Sequence, residues 1–107
     1  MLENYNLFGA PHVAVVSTDK ALGVYGAVDC GGYVATLLLA AESLGIAAVP
    51  QAAVAMTASA LRQELGIGED RDIVCAVSFG YADEAHPANA CRTDRASLEE
   101  TVVWVED

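Results

Sequence analysis

A chain of 107 residues in which 54% of the side chains are hydrophobic can enclose one core and is too short for two ordinary domains. Fifteen acids against five bases give a formal net charge of −10, which excludes nucleic acid and anionic membrane as main partners, because phosphate surfaces are held by dense Lys and Arg. Cys30, Cys75 and Cys91 are an odd set without a signal-like leader, which fits a reducing cytoplasm better than a disulfide framework, and the longest strongly apolar run, Tyr33 to Ala41, falls short of the roughly 20 residues of a membrane span.

In chain order, an irregular entry leads to His12–Thr18, whose β-branched content predicts a strand. From Val28 onward Val34, Leu37, Leu38, Ala41 and Leu44 recur at helical spacing. Asp29 stands as a candidate cap and Gly45 at the expected left-handed stop. Gly23, Gly26, Gly31 and Gly32 read as turns. Ile46–Val49 is a short apolar run stopped by Pro50, which marks a strand end or a sheet edge. A loop, PQAAVA, follows. Thr57–Leu65 reads as a second helix with Ala58, Leu61 and Leu65 inward and Gly66 at its end. Residues 72–82 form a near-continuous apolar strand of the kind covered on both faces. The composition then turns polar, and 83–97 reads as an extended arm. Val102–Val105 alternates as a strand, apolar on both sides, that needs a sheet edge to join, in this subunit or another. The organisation is thus one unit, with a βαβαβ core at 1–82 and an arm with an exchanged strand at 83–107.

Few constellations carry chemistry. His12, Cys30, Cys75, His86 and Cys91 lack the paired ligand spacing of a zinc site, so no metal is expected. Cys30 stands near a helix, where a dipole can activate a thiol, yet packing explains it as well. No catalytic side chain is assigned. The glycines make neither GxGxxG nor a P-loop. Arg92 and Arg95, in the segment CRTDR, are the one close pair of bases. Guanidinium groups on an exposed arm of an acidic chain either meet an anion or pair with Asp94, Glu99 or Glu100.

Five stretches in order, YNLFGAPHVAVVSTD, GAVDCGGYVATLLLAAESLG, IAAVPQAAVA, DIVCAVSFGYAD and HPANACRTDRASLEETVVWV, together resemble the nitroreductase family. The resemblance covers nearly the whole chain and about the second half of a usual member. It implies an α+β fold, a sheet flanked by helices with an extended C-terminal arm, in which two subunits intertwine around FMN. NAD(P)H would reduce the flavin, and a nitroaromatic or a quinone would take the electrons. On this sequence the resemblance implies that Pro50, Gln51, Ala52 and Ala53 run along the isoalloxazine, with a backbone N–H near Ala53 reaching flavin N5. Small residues there let a ring approach the backbone. It implies that Arg92 and Arg95 hold the FMN phosphate, which favours the anion reading of that pair.

The family's N-terminal helices, which supply further phosphate contacts and much of the dimer core, have no counterpart in the sequence. The expectation is a fragment or half-enzyme that forms a homodimer or larger assembly, or that takes up a missing N-terminal half in trans. The rival is a non-catalytic dimerising remnant, or assembly module, without flavin.

Overall fold

The computed structural model describes residues 2–106. Three strands, β1 (His12–Asp19), β2 (Ala47–Gln51) and β3 (Arg71–Gly80), form one sheet in the order β1-β3-β2. Both outer strands run antiparallel to β3. The central position of β3 explains its continuous apolar sequence, because it is covered on both faces: Ala76, Val77 and Ser78 are all essentially buried. Pro50 pairs with Val77 inside β2. β2 is an outer strand, so a residue without an N–H is tolerated there.

The helices are α1 (Leu2–Tyr5), α2 (Gly23–Ser43), α3 (Ala58–Leu65) and α4 (Leu98–Thr101). α2 crosses from β1 to β2 along one face of the sheet. It starts five residues before Val28, so Asp29 lies inside the helix and caps nothing. Of the four glycines expected in turns, only Gly23, with φ +54°, makes one; Gly26, Gly31 and Gly32 are helical. Tertiary packing overrides their low propensity. The helix stops where the sequence predicts. Gly45 has φ +71°, and the N–H groups of Gly45 and Ile46 donate to the carbonyls of Glu42 and Ala41 at 3.0 and 2.9 Å, a Schellman closure.

By length and composition alone the stretch Lys20–Ser43 is apolar enough to cross a membrane. This exceeds the apolar run expected from Tyr33 to Ala41, because the glycines and alanines before it join the same helix. Here the stretch lies along the sheet with Gly26 and Cys30 buried, while Val24, Tyr25, Val28, Tyr33 and Leu39 along it are exposed.

Gly26 shows why α2 sits so close. A Cβ built on it would stand 2.5 Å from Thr18 Oγ1 and 3.0 Å from Leu22 Cβ, and Thr18 is itself buried and stiff at χ1. Alanine at 26 gains roughly 1 kcal/mol of helix propensity but overpacks the contact at a cost of about 1–3 kcal/mol. We expect Gly26→Ala to lower the melting temperature, whereas Gly31→Ala, with nothing within 4 Å of the added carbon, raises it. Thermal melts of the two variants side by side check the signs.

The rest of the core is tied by side chains. β1 and β3 shift register between Val16 and Ser17, and Arg71 bridges the irregularity, donating from Nε to Ser17 Oγ at 2.9 Å and from Nη2 to the Ser17 carbonyl at 2.8 Å. Arg62 on α3 donates to the carbonyls of Gly68 and Arg71, each at 2.5 Å, closing the turn that enters β3. Leu61 on α3 is half-buried, but Leu65 is 54% exposed, so the predicted inward face is only partly covered.

Beyond β3 every described residue except Val102 is exposed. A short 3₁₀ turn, Pro87–Ala90, interrupts the arm, and a capping box between Ser97 and Glu100 starts α4. In this copy the segment expected as a strand, Val102–Val105, is unpaired among the described residues, and Val102 has extended angles, φ −121° and ψ 126°. A strand exists only through a ladder, and no sheet edge of this copy meets it.

Candidate functional site

The end of β2 turns into a 3₁₀ segment, Ala52–Thr57, where the sequence suggests a loop. Val54 anchors this segment at 6% exposure, and Thr57 Oγ1 donates back to the Val54 carbonyl at 2.8 Å. Around this anchor Pro50 and Ala52 are exposed and Ala53 is half-buried. The backbone from 50 to 53 can therefore be approached over small side chains.

Gln51 is different. Its side chain is 2% exposed, donates from Nε2 to the Asn4 carbonyl at 2.7 Å and accepts from Ser78 Oγ. It points into the core, so position 51 offers a ligand its backbone and not its amide. No pattern in the sequence distinguishes that buried link from a loop glutamine.

Arg92 and Arg95 lie on the exposed arm. Arg92 Nη1 donates to the carbonyls of Asn89 at 2.7 Å and Cys91 at 3.2 Å. Arg95 Nη1 donates to Thr93 Oγ1 at 2.7 Å and to the carbonyls of Asp94 and Thr93 at 3.1 and 3.4 Å. Among the described residues neither guanidinium pairs with Asp94, Glu99 or Glu100; the ion pair that is formed is Arg62–Glu69, at 3.8 Å. Each arginine is held through Nη1 by neighbouring carbonyls and, for Arg95, by the Thr93 hydroxyl, and among the described residues the Nη2 and Nε donors remain for an anion. A planar fork with free N–H groups is suited to a phosphate.

Two cavities flank the sheet. The larger, about 660 Å³, is an apolar groove between α2 and the strands, lined by Val16, Leu37, Val77 and Phe79, with Asp29 beside it. The smaller, about 280 Å³, lies on the opposite face between the N-terminal segment, β1 and α3. Neither is lined by any residue of 50–53 or by Arg92 or Arg95. One copy of the chain thus holds the two groups of candidate residues on separate parts, the core and the arm.

The sulfur and imidazole groups do not converge on a metal. Among the described residues no three of His, Cys, Asp and Glu gather. His12 stacks on Phe79 with ring centroids 5.4 Å apart, and His86 accepts from the Ala88 N–H as a cap. Burial raises the pKa of the Cys75 thiol, and the neighbouring Cys30 raises it further. Both cysteines are free, as is the exposed Cys91.

Comparison with known proteins places this geometry. The sequence model of the Nitroreductase family matches residues 1–81. The chain is 41% identical over 106 residues to nitroreductase NfnB of Mycolicibacterium smegmatis, covering 94% of this chain and 45% of that protein. It is 34% identical over 106 residues to a 4-nitrobenzoate reductase of a Nocardioides species, covering 97% and 43% respectively. Among solved structures, the FMN-dependent nitroreductase NfnB from Mycobacterium smegmatis in complex with NADPH superposes with a TM-score of 0.90 at 39% identity, over 97% of this chain and 46% of that one. The chain spans about half the length of these relatives. The α+β fold with a small antiparallel sheet is the nitroreductase fold over that half, and the chain belongs to the nitroreductase family.

Proposed function

We propose that the chain contributes to an FMN-binding, NAD(P)H-dependent oxidoreductase that reduces nitroaromatics or quinones. The observation that carries this reading is the pair of arginine forks on the arm, each with N–H donors that meet no protein partner among the described residues. Such donors fit a phosphate, and the small residues Pro50, Ala52 and Ala53 fit the approach of a planar ring to the backbone. Bound flavin would supply the hydride and electron chemistry. The protein would position it: the arginines by charge-assisted hydrogen bonds to phosphate oxygens, the 50–53 backbone by its N–H groups, with the one near Ala53 directed at flavin N5. No side-chain acid or base is required of this half.

The site is complete only in an assembly. Val103, Trp104 and Val105 are 75–90% exposed in an extended tail, and among the described residues no strand pairs with the outer edge of β1 or β2. An apolar tail of this kind and an open edge complement each other. A homodimer or larger assembly in the cytoplasm, or a partner chain that brings the N-terminal half of the fold, would join arm and core.

A second reading, an assembly module without flavin, draws on the absence of the six candidate residues from both described cavities. One experiment separates the two. Purified chain is incubated with FMN, desalted, and followed by absorbance and light scattering. Flavin absorbance that travels with a dimer or larger species supports the first reading. A colourless dimer leaves the second, and a colourless monomer that stays so when the N-terminal half of a relative is added removes the first.

A further inference from the structure

The β1–β3 register and the seating of α2 on β1 place Cys30 and Cys75 on the two sides of the layer between α2 and the sheet. Successive residues of a strand point to opposite faces. Val16 and Thr18 of β1 line the groove beneath α2, as do Val77 and Phe79 of β3. Cys75, two residues before Val77, lies on that same face and pairs directly with Val16. Leu22, just before α2, and Gly26 and Cys30 on it recur every four residues and line the groove from above, and Gly26 rests on Thr18. One helical turn beyond Gly26, roughly 6 Å along the axis, stands Cys30. Two residues back from Thr18, roughly 6.6 Å along β1, stands Val16 with Cys75 beside it. α2 returns antiparallel over β1, so the two steps go in the same direction and bring Cys30 above the Val16–Cys75 pair.

We propose that Cys30 and Cys75 are a paired dithiol that closes to a disulfide between α2 and β3 when the protein meets a peroxide. One sulfur, as its thiolate, attacks the peroxide, breaking the O–O bond, releasing hydroxide and becoming a sulfenic acid. The other thiol then forms the S–S bond and releases that oxygen as water. Two thiols and one hydrogen peroxide give one disulfide and two waters; sulfur loses two electrons and the peroxide oxygens gain them. A disulfide requires α carbons within roughly 7 Å, and α2 is seated closely on β1 at Gly26, one turn from Cys30. Burial of Cys30 at 8% exposure shields that sulfur from larger oxidants and from other chains, while Cys75 is half-buried. Burial, and then the neighbouring Cys30, raise the pKa of the Cys75 thiol, which disfavours its thiolate. The bond would staple the long helix to the central strand, and this property is independent of flavin.

The test uses the full chain with Cys91, exposed on the arm, as an internal dosimeter. Protein is treated with hydrogen peroxide at a dose that converts Cys91, denatured, alkylated with a maleimide and analysed by peptide mass. The expected product joins the peptides of Cys30 and Cys75, about 2 Da lighter than their sum for the two hydrogens removed, with both sites lost to the maleimide. Cys91→Ser retains this bond. Cys30→Ser and Cys75→Ser each abolish it, and two substitutions guard against one that fails to fold. If both Cys30 and Cys75 still alkylate fully at that dose, or are found joined only to Cys91, the proposal is overturned.

Discussion

Replacing Arg92 or Arg95 by Ala should weaken FMN binding by about tenfold to a hundredfold while leaving riboflavin nearly unchanged. Hydrogen bonds to a charged group contribute roughly 1.5–3 kcal/mol each, and every 1.4 kcal/mol is a factor of ten in affinity. Riboflavin carries the same ring and lacks the phosphate, so it reports any general damage to the site. The guanidinium groups are already held in place through Nη1 by the carbonyls of Asn89 and Asp94 and by Thr93, so little ordering is needed when an anion arrives. Lysine at either position keeps the charge and loses the fork, and should fall between Arg and Ala. Binding should also weaken with salt, since the arm is exposed and its field is screened within roughly 10 Å at 0.1 M. Titration of both flavins into the assembled protein reads all of this. Equal losses for FMN and riboflavin would mean that the arginines hold something other than the phosphate.

Most of the core was legible because its signals are local. The β-branched run from His12 marks β1, the apolar run before Tyr81 marks β3, and Gly45 marks the end of α2. The start of α2 was not. Gly26, Gly31 and Gly32 look like breakers by propensity, and only the contact of Gly26 with Thr18 reveals that one of them is there for close packing. The tail illustrates the opposite limit. The alternation Val102–Val105 is a strand pattern, and a pattern of that kind specifies a face without supplying a partner, so one copy leaves it extended and exposed. α4 could have been found, since Ser97 and Glu100 have the spacing of a capping box.

The candidate site divides along the same line. Arginines close in sequence are visible as a pair wherever they fold, and the resemblance to the family gave them a ligand. Whether a glutamine faces a ligand or the core depends on what lies 27 and 47 residues away in sequence, and no single-sequence pattern carries that. For the same reason the level of Cys30 over Cys75 emerges only once the β1–β3 register is known.

Gln51 then yields the largest stability effect we expect. It sits at 2% exposure between Ser78, at 1%, and the N-terminal segment, and it satisfies both with one amide. Gln51→Leu changes volume little, so no large cavity opens, but it leaves the Ser78 hydroxyl and the Asn4 carbonyl without their partner. An unsatisfied buried polar group costs about 1–3 kcal/mol. The two together should lower stability by about 2–4 kcal/mol, and a domain of this size loses roughly 4–8 °C of melting temperature per kcal/mol. The loss should exceed that of Gly26→Ala, where a single contact has to give. Ser78→Ala alone should cost less, because it leaves only the Gln51 oxygen unpaired. In the Gln51→Leu background the same Ser78→Ala change should be neutral or stabilising, since the orphaned hydroxyl disappears with it. A double-mutant cycle measured by denaturant unfolding decides the matter: the doubly substituted chain should be more stable than the sum of the single losses predicts, by about 1 kcal/mol or more. Simple additivity would mean that the two side chains do not depend on each other, and that Gln51 is held in the core by its packing rather than by these bonds.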